Sequence, residues 1–160
     1  MYDVTYDASG SVDSKELGEF YDRLHHETAA TQKQLKRMVC NSAVFVTARV
    51  DDRLIGIARG LTDGVRGYMS ECKLDPVYQG PAAVTRTDGR IEHDTYGIAA
   101  EMARLVLDTF RGQGLERIDA LAWGTEVDFL EELGFKRSGG LTAMTLWARE
   151  PARKGVAAPA

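Results

Sequence analysis

The sequence predicts an α+β fold, in which a mixed, mostly antiparallel sheet of six to seven strands carries helices on both faces. Three observations predict it. Short β-rich runs follow one another through tight turns between Ser42 and Leu74, the pattern of a meander. Apolar spacing of helical period returns after Gly97 and again after Thr125. In the second half strand-like and helical runs alternate, which adds crossover connections to the antiparallel part.

Taken in order, Val4–Tyr6 is a short strand. Asp13 with Glu16 has the form of a capping box opening a helix through Leu17, Phe20, Tyr21 and Leu24. A second helix is expected over roughly Thr28–Val39, with Leu35, Met38 and Val39 on one side. Ser42–Val50, Leu54–Leu61 and Val65–Leu74 form the meander, joined by "DDR" and "TDG". The helix after Gly97 carries Ile98, Met102, Leu105, Val106 and Phe110, and Gly112 and Gly114 stop it. Leu115–Trp123 is expected as a buried strand. Thr125 and Asp128 then suggest a capping box for a helix over Val127–Leu133, ended by Gly134. "FKRSGGLTAMTLW" is expected to supply two last strands, and residues 149–160 a disordered tail.

The chain has 160 residues, 44% hydrophobic and 28% charged, which suits one globular domain over residues 1–148. A net charge of −4 argues against a nucleic-acid partner. No apolar run reaches the length of a membrane span, and the first residues lack the pattern of a signal peptide. Cys40 and Cys72 are the only cysteines, and no clustered ligand set suggests a metal. A reduced, cytoplasmic setting is the expectation.

Two motifs carry chemistry. "LDPVYQG" (Leu74–Gly80) fits V-x-P-x-Y-Q-G, and "FLEELGF" (Phe129–Phe135) fits F-Y-x-x-L-G-F. With the element order, they make the first 147 residues or so resemble the GNAT superfamily, the Gcn5-related N-acetyltransferases. In that family the fourth strand parts from the fifth and its free backbone pairs with the pantetheine arm of acetyl-CoA. A Gly-rich turn and the helix N-terminus behind it then receive the pyrophosphate.

The resemblance therefore implies that Cys72, Lys73, Leu74, Gln79, Gly80, Gly97, Ile98, Ala99, Trp123 and Leu130 bind the co-substrate, acetyl-CoA or another acyl-CoA. The turn is split: Gln79-Gly80 begins it and Gly97-Ile98-Ala99 ends it, with about 81–95 inserted. Asp88-Gly89 marks a polar hairpin or long loop expected to project from the phosphate mouth. It has three roles open to it: covering the co-substrate, serving the acceptor, or packing against a second subunit in a homodimer. Service to the acceptor is the expected one.

The function implied is transfer of an acetyl group to an amine of a small molecule or peptide by direct attack, without a metal. Glu71 on the fourth strand is the leading base; its alternative is an ordinary strand carboxylate. His93 in the insertion is a lesser candidate, and His25 and His26 are explained as cations at a helix C-terminus. The family's general-acid tyrosine is replaced by Leu130, so Tyr96 is the nearest substitute, and Trp123 stands where an asparagine is usual. These departures leave two rivals open: a degenerate GNAT-fold binding or regulatory domain, and an enzyme with altered donor or chemistry.

Overall fold

A computed structural model describes residues 1–83 and 88–149. The element order is β1 (Thr5–Asp7), α1 (Ser14–Arg23), α2 (Gln32–Asn41), β2 (Val44–Val50), β3 (Arg53–Thr62), β4 (Arg66–Leu74), α3 (Ile98–Gly112), β5 (Arg117–Ala120) and α4 (Val127–Glu132). One five-stranded sheet runs in the order β1-β2-β3-β4-β5, antiparallel throughout except for the parallel β4–β5 pair.

Caps set the helix starts. Asp13 accepts the Glu16 N–H at 2.7 Å and opens α1. Thr31 and Gln34 form a reciprocal capping box, so α2 starts at Gln32, later than the expected Thr28. The sheet is buried on both faces. Phe20, Leu35, Phe45 and Ile57 pack beneath α1 and α2. Val46, Ile55, Ala58, Met102, Val106 and Phe110 form the larger core beneath α3.

Three expectations fail near the C-terminus. β5 is only four residues long and half exposed rather than a buried strand through Trp123; Leu121 and Trp123 lie in solvent. Its outer edge has no covering strand, so it gains no second buried face. The Thr125–Asp128 box does not form. The Glu126 carboxylate instead accepts the Trp123 N–H at 3.3 Å, closing a 3-10 turn ahead of α4. Finally, residues 136–149 contain no strand, and Leu141, Met144, Leu146 and Trp147 are exposed. The sheet thus has five strands instead of six or seven. Of the expected disordered tail, residues 150–160 lie outside the described residues.

Candidate functional site

Parallel pairing of β4 with β5 stops at Met69↔Ala120, while β4 continues alone to Leu74. The two strands diverge there, and the gap is a cleft lined by β4 from Tyr68 to Lys73 and by Leu121, Trp123, Phe129 and Leu130. Alternation turns the Cys72 and Leu74 backbone toward this gap. The far end leads through a 3-10 turn at Pro76–Tyr78 to the start of α3. Gly97, at φ +72°, is the residue before that helix; the left-handed conformation is what calls for glycine, since a Cβ would meet nothing within 4 Å.

The two halves of the split turn meet: the Thr95 N–H donates to Gln79 O at 2.9 Å. Gly80 is pressed against Thr95, whose Oγ1 lies 2.2 Å from where a Cβ would stand. Residues 88–95 of the intervening segment do not project. Asp88 and Gly89, at φ +49° and +83°, make a tight turn as expected, but the chain then folds into the cleft. Val84, on the other side of that turn, lies outside the described residues.

The turn's carbonyls supply the first contacts. Gly89 O accepts the Leu74 N–H at 2.8 Å, and Asp88 O accepts from Lys73 Nζ at 3.0 Å. Ile91 is fully buried in the core under α3. The Arg90 guanidinium lies 4.1 Å over the Trp123 ring. Gln79, fully buried, holds the segment with every position of its amide. Nε2 donates to Leu74 O at 2.9 Å and Arg90 O at 3.0 Å; Oε1 accepts the Glu92 and His93 N–H groups at 2.9 and 3.2 Å. The two oxygens of Asp94 accept the Ala99 and Ala100 N–H groups, both at 2.9 Å, at the N-terminus of α3.

With residues 88–95 in place, the cleft has no room for acetyl-CoA. The strand N–H of Leu74 and the first free amides of α3 are already bonded to residues of the chain itself. The space left in the cleft is about 190 Å³, below the roughly 300–1,000 Å³ of small-molecule sites.

The other face of β4 carries a polar cluster. Glu71 accepts from the Tyr21 hydroxyl at 3.0 Å on both oxygens and from Arg59 Nε at 2.7 Å. At the end of α1, His25 takes φ +58°, and the His25 and His26 N–H groups donate to Asp22 O and Tyr21 O. This is a Schellman turn, and its usual contact across the last turn becomes a stack of His26 on Tyr21 at 4.5 Å.

Burial, helped by nearby Lys73, pushes the His26 pKa below its usual value, and its buried Nδ1 has no partner. Burial raises Tyr21 and Cys72, so Cys72 is a thiol, with its Sγ 3.8 Å from Ala99 O. Burial also raises Glu126, whose Oε2 accepts the Ile91 N–H.

Of the residues expected at the site, Glu71, Cys72, Lys73, Trp123 and Leu130 line the cleft, and Leu74, Gln79, Ile98 and Ala99 lie buried at its end. Tyr96 does not join Glu71. It sits edge-on to Tyr2, which also contacts Tyr78, beside a separate hollow lined by residues 1–4. His93 is exposed, with its backbone held by Gln79. His26 was missed: its first reading was as a solvated helix-end cation, and nothing local announces a Schellman turn built on a histidine.

No protein-family model and no curated protein sequence matches the chain. Solved structures do match along nearly its whole length. A GNAT-family acetyltransferase of Streptococcus pneumoniae TIGR4 is 18% identical, covering 92% of this chain and 100% of that one, with a TM-score of 0.66. A candidate acetyltransferase of Deinococcus radiodurans R1 is 26% identical over 91% and 89% of the two chains, with a TM-score of 0.63. A candidate acetyltransferase of Clostridium acetobutylicum, solved with acetyl-CoA, is 15% identical over 89% and 96%, with a TM-score of 0.61. A sheet that splits at its one parallel pair, with a helix N-terminus behind the split, is the architecture this chain shares with those solved structures. The fold is that of the GNAT superfamily.

Proposed function

We propose that the chain is an acyl-CoA-dependent N-acyltransferase, with acetyl-CoA as the leading donor and an amine of a small molecule or peptide as acceptor. The observation that carries this reading is the divergence of β4 from β5 after Met69 and its exit at the start of α3. A strand that has parted from its β-partner and leads to a helix N-terminus suits a ligand with an amide-bearing arm and a phosphate end, once residues 88–95 give way. Such a donor supplies an activated acyl carbonyl. What the chain itself must supply is control of the acceptor's proton.

A lysine-like amine is neutral in about one molecule in 2,500 at pH 7, a cost of about 4.6 kcal/mol. Two groups on the α1 face of β4 are candidates for that proton. Both Glu71 oxygens already accept from Tyr21 and Arg59. His26 is held neutral by burial and keeps an unpartnered Nδ1. We therefore assign the proton to His26, with Glu71 fixing Tyr21 beneath it. No base need be sought in His93.

The test is turnover of acetyl-CoA against a panel of amines, with His26→Gln and Glu71→Gln beside the wild type. His26→Gln should lower kcat/KM by about 10²-fold or more, and the loss should shrink as pH rises and the amine deprotonates unaided. A larger loss in Glu71→Gln than in His26→Gln would return the base to Glu71. A second reading is favoured by the bonds of Asp94 and Gly89 in the cleft: a GNAT-fold binding or regulatory domain without transfer. It predicts no turnover with any amine.

A further inference from the structure

Residues 88–95 are anchored in the β4–β5 cleft at three separate places. At the turn, Gly89 O takes the Leu74 N–H and Lys73 Nζ donates to Asp88 O, with the Asp88 carboxylate between Arg90 (2.9 Å) and Lys73 (3.8 Å). In the middle, Ile91 is buried without remainder and Gln79 holds the backbone at Arg90, Glu92 and His93. At the end, the Asp94 carboxylate bridges the Ala99 and Ala100 amides of α3.

The order of these anchors has a chemical pattern. A carbonyl is offered to a strand N–H, then an anion is offered to a helix N-terminus. The cleft's own cation, Lys73, faces the Asp88 carboxylate, which the segment's own Arg90 shares. Asp94 is not the N-cap residue, which is Gly97; it reaches the Ala99 and Ala100 amides with one carboxylate oxygen each. The aspartate adds a full negative charge, which competes with any anion for the same amides.

We propose that residues 88–95 are an intramolecular occupant of the donor cleft, which an acyl-CoA must displace in order to bind. The proposal rests on the donor reading given above. A tethered occupant competes at high effective concentration, so the apparent affinity for donor falls with the fraction of molecules in which the cleft is open. Displacement also frees Lys73 of β4 from Asp88, so the same movement opens the space and leaves a positive charge in it.

The experiment is calorimetry on the full chain, wild type and Asp94→Asn, with acetyl-CoA and separately with inorganic pyrophosphate. Asparagine keeps one acceptor oxygen for the two amides and loses the charge, so one of the two bonds to α3 can remain. Acetyl-CoA should bind Asp94→Asn about tenfold more tightly than wild type, or better, with pyrophosphate shifting the same way. Acetyl-CoA binding equally well to both proteins would overturn the occupant and leave the donor reading standing. Pyrophosphate binding tightened by the substitution, with no acetyl-CoA bound by either protein, would sink the donor reading and keep the occupant as the competitor of an anion. No binding and no tightening of either probe would overturn both. Should Asp94→Asn fold poorly, Asp88→Asn frees Lys73 and must tighten both probes, by a smaller factor.

Discussion

Two segments depart from the expected strands and loops, and they depart in opposite directions. Residues 88–95 are mostly polar, were expected to project, and lie packed in a cleft. Residues 136–149 are rich in apolar residues, were expected to complete the sheet, and lie exposed. Apolar content does not decide which segment is bound into the fold. The inserted segment has partners: a buried amide that satisfies four backbone groups, a strand N–H, a helix N-terminus and one full-sized pocket for Ile91. The C-terminal segment has β-propensity but pairs with no strand, and propensity without a pairing partner forms no sheet.

The largest expected effect of breaking this contrast comes from Gln79. Replacing it by alanine strips hydrogen bonds from four backbone groups in a dry setting, and each such group costs about 1–3 kcal/mol when left unpaired. Gln79→Ala should therefore lose about 3 kcal/mol or more of unfolding free energy in urea. Trp147→Ala, which removes a much larger side chain from the exposed segment, should change it by no more than about 0.5 kcal/mol. Comparable losses in the two variants would mean that the C-terminal segment is packed after all.

Next in size is Ile91. Truncation to alanine inside the core should cost about 2–4 kcal/mol, against about 0.5 kcal/mol or less for Leu146→Ala. An Ile91→Ala cost as small as that of Leu146→Ala would place Ile91 in solvent and the segment outside the cleft.

The smallest effect is a pH slope. Burial depresses the His26 pKa in the folded protein, while the unfolded chain titrates near the usual value of about 6.5. Between these two values the unfolded state binds more protons, so stability rises with pH across that window. The stability contributed by neutral His26 is full above about 6.5 and is lost as pH falls through the folded pKa. His26→Gln should flatten this part of the stability curve. An unchanged slope would show that His26 is not buried beside Lys73.

Much of the fold was legible because its signals are local. Asp13 with Glu16, the "DDR" turn and the Gly97 helix start each mark a boundary within a few residues. The corrections fall where the deciding partner is distant. α2 starts late because Gln34 reaches back to Thr31, which is readable; the final strands fail for lack of a neighbouring edge, which is not. Gln79 and Gly97 are expected from sequence as parts of one interrupted turn, and the Thr95 N–H at the end of the insertion bonds to Gln79 O. What the pattern could not reveal was that the interruption brings its own carboxylate to the helix it precedes. His26 was hidden for a related reason, since its burial depends on stacking against Tyr21 and on charges from β4.

The most direct test of a self-filled cleft is amide hydrogen exchange in the protein without added ligand, read at Leu74, Ala99 and Ala100. None of these three amides has a partner within its own strand or helix; each is bonded to residues 88–95. Filled by that segment, the cleft protects all three far beyond the rate of an open strand edge or a bare helix start. Protection close to that of core β3 amides, lost at Ala99 and Ala100 when Asp94 is replaced by glycine, is the predicted result. Exchange of Leu74, Ala99 and Ala100 at the rate of exposed backbone in the unliganded protein would contradict it.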